Sequence, residues 1–83
     1  MKYRAKIEVS LKPGHADPEG NTTQRLLKEL GYAVEAVNVS KVYCIQLESS
    51  MLKEAKANAE EMAKRLLANP TKDNYIIAVE EQK

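Results

Sequence analysis

The 83-residue sequence has no tryptophan and no phenylalanine, a single cysteine, a single histidine, three glycines and three prolines. With Cys44 alone, no internal disulfide can form, and a reducing compartment suits the chain. With His15 alone, no cysteine or second histidine stands at metal-ligand spacing, and no Ser-His-Asp or Cys-His set can be assembled. An RNA-recognition sheet needs stacking aromatics on its two central strands, and here only Tyr3 and Tyr43 are on offer. There is also no excess of either charge. Thirteen Lys and Arg face twelve Asp and Glu, interspersed along the chain, so no basic face for phosphate emerges and nucleic acid is not an expected partner. No apolar run approaches the ~20 residues of a membrane helix, and the start, Met1-Lys-Tyr-Arg-Ala-Lys, is too charged for a signal-peptide core. No membrane partner is expected, and a cytoplasmic location is.

The remaining composition, 43% apolar and 30% charged, is that of a folded domain rather than a disordered segment. The length allows one domain, 1–83, whose own core is marginal. Tyr3, Ala5, Ile7, Val9 and Leu11 alternate with Lys2, Arg4, Lys6, Glu8 and Ser10, which predicts a strand over 2–11 with one buried face. Lys12-Pro13-Gly14 ends it. Asp17 as N-cap and Pro18 at the first helical position start a helix over 18–30. Thr23, Leu26, Leu27 and Leu30 share one of its faces, and Gly31 stops it.

Residues 34–40 and 42–49 read as two strands with a reversal near Ser40-Lys41. With a two-residue turn, Val34, Ala36, Tyr43, Ile45 and Leu47 share one face, and Val37, Val39, Val42 and Cys44 the other; a slip of one residue exchanges them. Ser49 or Ser50 caps a second helix over 51–68, whose buried stripe is Ala55, Ala59, Met62, Ala63, Leu66 and Leu67. Asn69-Pro70 ends it, and Tyr75, Ile77 and Val79 mark a last strand over 73–80. The order β-α-β-β-α-β predicts an α+β, ferredoxin-like fold: four antiparallel strands with both helices on one face.

The loop from Lys12 to Gly20 places Gly, Pro and a cation before a helix N-terminus, yet it matches neither phosphate-binding fingerprint, and Asp17 and Glu19 repel anions there. No arginine lies between Leu11 and Gly20, where an acylphosphatase places one. The apolar second face of the expected hairpin predicts a homodimer or tetramer built on Val37, Val39, Val42 and Cys44, which Val39→Lys weakens. Gly20 falls one turn inside the first helix, where glycine is costly. A close approach by a partner subunit or by the chain itself accounts for it.

The run Leu11-Lys-Pro-Gly-His-Ala-Asp-Pro-Glu-Gly20, followed by Leu27-Lys-Glu-Leu-Gly-Tyr32, resembles the PurS family. The block Met62, Leu66-Leu-Ala-Asn-Pro70 and Tyr75 agrees, in order and spacing over nearly the whole chain. The hairpin departs from the family: where Arg-x-Gly-Lys is common, this chain has Asn38-Val-Ser-Lys41. A bulky aliphatic residue is also common at the position of His15. The resemblance implies a small, non-catalytic subunit of three-part formylglycinamide ribonucleotide amidotransferase in purine biosynthesis. Its partners are then a PurL-like synthetase and a PurQ-like glutaminase, which it bridges, with a role in passing ammonia between them. ATP and Mg are used by the synthetase, and no cofactor or metal is bound by this chain. Lys12, Gly14, Asp17, Pro18, Gly20, Lys41, Asn69 and Pro70 are the implied partner-contacting candidates. An alternative of the same topology is an ACT-like regulatory module that holds an amino acid at a Gly-containing loop.

Overall fold

Strand β1, Lys2–Leu11, carries the alternation into three dimensions. Tyr3, Ala5, Ile7 and Val9 are buried, and the charged residues between them are exposed. The computed structural model describes residues 1–82. The chain continues through helix α1 (Pro18–Glu29), strand β2 (Lys41–Glu48), helix α2 (Leu52–Met62), a π-helical turn at Ala63–Leu67, and strand β3 (Asp73–Glu81). β1 is the centre of a three-stranded antiparallel sheet of order β2-β1-β3. Its register runs from Lys2 opposite Glu48 to Val9 opposite Lys41 on one side. On the other side it runs from Tyr3 opposite Glu81 to Leu11 opposite Asp73.

The expected four-stranded sheet is therefore corrected to three strands. Residues 34–40 form no strand of this sheet. A tight two-residue hairpin at Ser40-Lys41 needs left-handed backbone, which Gly, Asn or Asp supply cheaply. Among the described residues only Gly14 and Gly31 have positive φ. With Ser and Lys at the reversal point, the chain runs on from the returning segment directly into β2.

The second consequence concerns α1. α2 lies over β1 and β3, whereas α1 makes at most marginal contact with any strand. The expectation of two helices on one face of the sheet thus holds for α2 alone. α1 and the segment 33–39 form an arm that projects from the end of the sheet. The molecule measures 51 × 30 × 14 Å with a radius of gyration of 16.3 Å, against roughly 12 Å for a compact domain of this length. The arm is internally tied. Asp17 accepts from the backbone N–H of Gly20 through Oδ1 and from that of Val39 through Oδ2, both at 2.9 Å. Gln24 Nε2 donates to the carbonyl of Glu35 at 2.8 Å. At its tip Gly31, at φ +99, ends α1, with Tyr32 N–H bonded back to Leu27 O and Gly31 N–H to Lys28 O.

α2 presents Ala55, Ala59 and, one turn on, Ala63 to the sheet, all fully buried. These small side chains let the helix approach closely, and the core is correspondingly thin: Ile7 is the one large side chain fully out of solvent among the described residues. Two details of this helix differ from expectation. Neither Ser49 nor Ser50 caps it; the N-cap is Met51, with no side-chain bond. Ser49 is instead drawn into the sheet end, where its N–H and C=O bond to the C=O and amino group of Met1, both at 3.0 Å. Leu66, expected in the buried stripe, is 82% exposed. The π-helical turn, marked by Ala68 N–H bonding to Ala63 O at 2.9 Å, widens the last turn, so Leu67 rather than Leu66 packs on the core.

Candidate functional site

Of the stretches that carry the family resemblance, the run after β1 and the block before β3 lie some fifty residues apart in the chain and meet at one end of the sheet. The loop after β1 is held to the loop before β3 by two bonds from Lys12. Its N–H donates to Lys72 O at 2.7 Å, and its Nζ donates to Pro70 O at 2.9 Å. The second loop is built by its own side chains. Asn69 Oδ1 accepts from the N–H groups of Thr71 and Lys72 at 2.8 and 3.3 Å. Asp73 Oδ2 accepts from Asn69 N–H at 2.9 Å, and Asp73 N–H returns to Asn69 O at 2.8 Å. Such Asn- and Asp-based turns satisfy backbone groups locally and hold an exposed loop in one shape.

The same end of the molecule carries Gly14, Asp17, Pro18 and Lys41. Gly14 sits at φ +91 with open space around it, so a backbone requirement explains the glycine. Lys41 opens β2 opposite Val9. A hollow of about 290 Å³ lies between these segments, with Asp17, Pro18, Lys41, Leu67, Lys72 and Asp73 in its wall. A neighbouring one of about 490 Å³ is bounded by Lys12, Lys64, Pro70 and Tyr75. Charges of both signs alternate across this end, which suits a protein surface with matching charges better than a simple anion. Lys72 and Asp73 belong to it, although the sequence reading did not single them out. The Asn-Pro-x-x-Asp spacing was the available sign, since an Asn turn there needs the later residues to close it.

Asp17 joins the site to the arm. Its carboxyl is held below the ordinary carboxylate range, first by the Val39 N–H and then by the Gly20 N–H, with partial burial opposing. A depressed folded-state pKa adds stability above the unfolded value, and that contribution is lost as pH falls through the folded one. Thermal unfolding of the native chain and of Asp17→Ala is expected to differ at neutral pH, with the native chain the more stable. The gap narrows as the pH drops below about 4, the ordinary range for an aspartate. A gap constant with pH would show that the charge on Asp17 contributes nothing. A second pair lies beside the larger hollow. Tyr75 Oη donates to Glu60 Oε1 at 2.7 Å, which lowers the Glu60 pKa, chiefly through this bond, and raises that of Tyr75.

The other sequence candidates separate. Gly20 is buried inside the arm rather than open to a partner. The position its Cβ would take is occupied by the carbonyl oxygen of Val37, with Asp17 Oδ2 2.8 Å away. The chain's own backbone therefore accounts for the glycine. Val37 and Val39, expected beside Val42 and Cys44, are half-buried on the arm, where Val39 is bonded to Asp17. Val42 and Cys44 are exposed on the outer face of the sheet. Among the described residues no group of three or more His, Cys, Asp or Glu side chains converges as a metal site would require. No helix among them is long and apolar enough to cross a membrane.

Comparison with known proteins decides the family. The profile described as PurS, phosphoribosylformylglycinamidine (FGAM) synthase, matches residues 4–81. The chain belongs to the PurS family. A relative from Methanocaldococcus jannaschii, named phosphoribosylformylglycinamidine synthase subunit PurS, is 42% identical over 79 residues, covering 94% of this chain and 95% of the relative. A Bacillus subtilis protein of the same name is 34% identical over 80 residues, covering 95% and 94%. Among solved structures, Thermus thermophilus PurS superposes over all of both chains with a TM-score of 0.91 at 38% identity. A chain of the PurLQS structure from Thermotoga maritima shares the fold, with a TM-score of 0.88 at 23% identity over 96% of this chain and 99% of that one. PurS proteins are thus subunits of a carbon–nitrogen ligase, FGAM synthase, of purine biosynthesis.

Proposed function

We propose that this PurS chain is a non-catalytic subunit that bridges a PurL-like synthetase and a PurQ-like glutaminase, acts in the cytoplasm, and assists the passage of ammonia between the two. ATP and Mg belong to the synthetase in this reading. The observation that supports it is the convergence of the run after β1 and the block before β3 on one end of the sheet. Lys12, Gly14, Asp17, Asn69 and Pro70 lie there on loops, with Asx turns and the Lys12 bonds among their ties, beside Pro18 at the start of α1 and Lys41 at the start of β2. Loops fixed in shape and studded with both charges present a pre-organised surface, which reduces the ordering cost of docking. Gly20 supports that surface from within the arm and is not one of its contacts.

Reconstitution tests this role. Mixing the chain with PurL-like and PurQ-like partners is expected to give glutamine-dependent FGAM formation that needs all three. Lys41→Glu places the opposite charge on the docking end without disturbing the β2 backbone ladder. It is expected to lower that rate by roughly tenfold or more at low salt, with less effect at high salt, as a charge contact across an interface requires. The role is refuted if the two partners alone reach the full glutamine-dependent rate. The surface assignment is refuted if Lys41→Glu supports the native rate at all salt concentrations.

A further inference from the structure

The larger hollow at the sheet end, about 490 Å³, has Lys12, Lys64, Asp73 and Tyr75 in its wall, with the apolar Ala68 and Pro70 beside them. Its charged groups are in different states. Asp73 Oδ2 already accepts the N–H of Asn69 at 2.9 Å. Glu60, next to the hollow, accepts the Tyr75 hydroxyl at 2.7 Å. The lysines are not committed in the same way. Among the described residues the ion pairs are Lys64–Glu60 and Arg65–Glu61, so Lys12 meets no carboxylate. Its Nζ donates to a neutral group, the Pro70 carbonyl, and its charge is left uncompensated. Lys64 Nζ stands 3.4 Å from Glu60 Oε1, beyond the ~2.7–2.9 Å of a charge-assisted hydrogen bond. That same oxygen already holds the Tyr75 hydroxyl.

We infer that this hollow receives the carboxylate of an Asp or Glu side chain carried by a partner subunit, between Lys12 and Lys64, with its stem against Ala68 and Pro70. The inference rests on the docking role proposed above and names the chemistry the partner offers there. The place fits such a role, because Lys12 and Pro70 belong to the two loops that meet at this end. The source of the carboxylate follows from exposure. The Lys64 side chain is 64% exposed, and the hollow opens to water. A free carboxylate gains little from such charges, since the pair is screened and must order a mobile lysine. A carboxylate fixed on a docked subunit arrives already oriented, and the contacts around it exclude water, which strengthens the pair.

A matched pair of charge reversals tests this. Lys64→Glu and Arg65→Glu make the same change in net charge. Each also replaces one i,i+4 pair with a glutamate by a repulsion. Of the two, only Lys64 lines the hollow. Both variants are expected to keep the native circular dichroism spectrum. Fluorescently labelled chain is titrated with an equimolar mixture of the PurL-like and PurQ-like partners, and anisotropy reports binding. At low salt Lys64→Glu is expected to raise the apparent Kd about tenfold or more and Arg65→Glu by no more than about twofold, with the difference shrinking at high salt. In a second arm the chain alone is titrated with sodium glutamate and is expected not to bind it at micromolar concentration. The inference is overturned if the two variants bind the partners equally well, or if Lys64→Glu binds as the native chain does. It is also overturned if the chain alone binds glutamate at micromolar concentration and Lys64→Glu abolishes this, because the hollow then serves a free ligand. A native chain that binds neither partner overturns the docking role and this inference together. Equal binding by the two variants leaves the docking role standing.

Discussion

Ile7→Ala is expected to unfold this chain, or to leave it with little cooperative structure at room temperature. Ile7 stands at the centre of β1, paired with Tyr43 on one side and Ile77 on the other, and its side chain is completely buried. Removing an isoleucine down to Cβ typically costs about 2–5 kcal/mol, more where the surroundings cannot collapse into the cavity. Here they cannot. The facing helix presents alanines at 55, 59 and 63, which have no side-chain length to move inward. A domain of this size has a total stability of only about 4–12 kcal/mol at typical per-residue values. Urea unfolding followed by circular dichroism measures the loss. An Ile7→Ala chain with a midpoint near the native one would show that the stability resides elsewhere. Ile7→Val, which leaves most of the side chain in place, is expected to cost about 0.5–1.5 kcal/mol and to retain the fold.

Gly20→Ala is expected to loosen the arm at a cost of about 1–3 kcal/mol, the usual penalty for overpacking. An ordinary exposed helix gains about 0.5–1 kcal/mol from the same change. The sign therefore separates two accounts of the glycine. The added methyl meets the Val37 carbonyl, a backbone atom that cannot rotate aside. Relief requires residues 36–39 to lift from α1, which strains the Asp17–Val39 bond. Hydrogen exchange is the fitting measurement, because it reports local opening. Faster exchange at Val39 and Gly20, with β1 unchanged, is the expected pattern. A variant more stable than the native chain, with normal protection in the arm, would show that the segment does not lie against the helix.

Much of this architecture is legible in the sequence, because half-wet elements write their burial as a period. β1 is unmistakable from Tyr3 to Leu11, since each buried residue is flanked by a charge. The start of α1 is equally plain, because Asp17 and Pro18 satisfy requirements of that helix end alone. The segment 34–40 shows the limit of such reading. Its valines predict a strand, yet the segment joins no sheet. Whether it folds back or runs on depends on the backbone at Ser40 and Lys41, which no periodicity reports. The exposure of Leu66 is similarly hidden. Nothing in Ala63-Lys-Arg-Leu-Leu67 distinguishes a π-helical turn from an α-helical one, yet the extra residue decides which leucine meets the sheet. The sheet end proposed for docking was legible only as two separate motif blocks. The sequence does not say that Lys12 reaches Pro70, because that contact depends on β1 and β3 being neighbours.

That neighbourhood also sets the pace at which the chain assembles. Every rung of the sheet joins distant positions. The nearest pair, Val9 with Lys41, closes a loop of more than thirty residues, and Tyr3 with Glu81 spans nearly the whole length. Among the described residues no pair of strands is joined by a short turn that could nucleate a ladder locally, so loop-closure entropy must be met before any rung forms. Of the two ladders, β1 with β2 closes the shorter loops and is expected to form ahead of β1 with β3. For its size this is a slow folder, nearer the milliseconds-to-seconds range of non-local β topologies than the microseconds of helical bundles. During that interval both sides of β1 stand open.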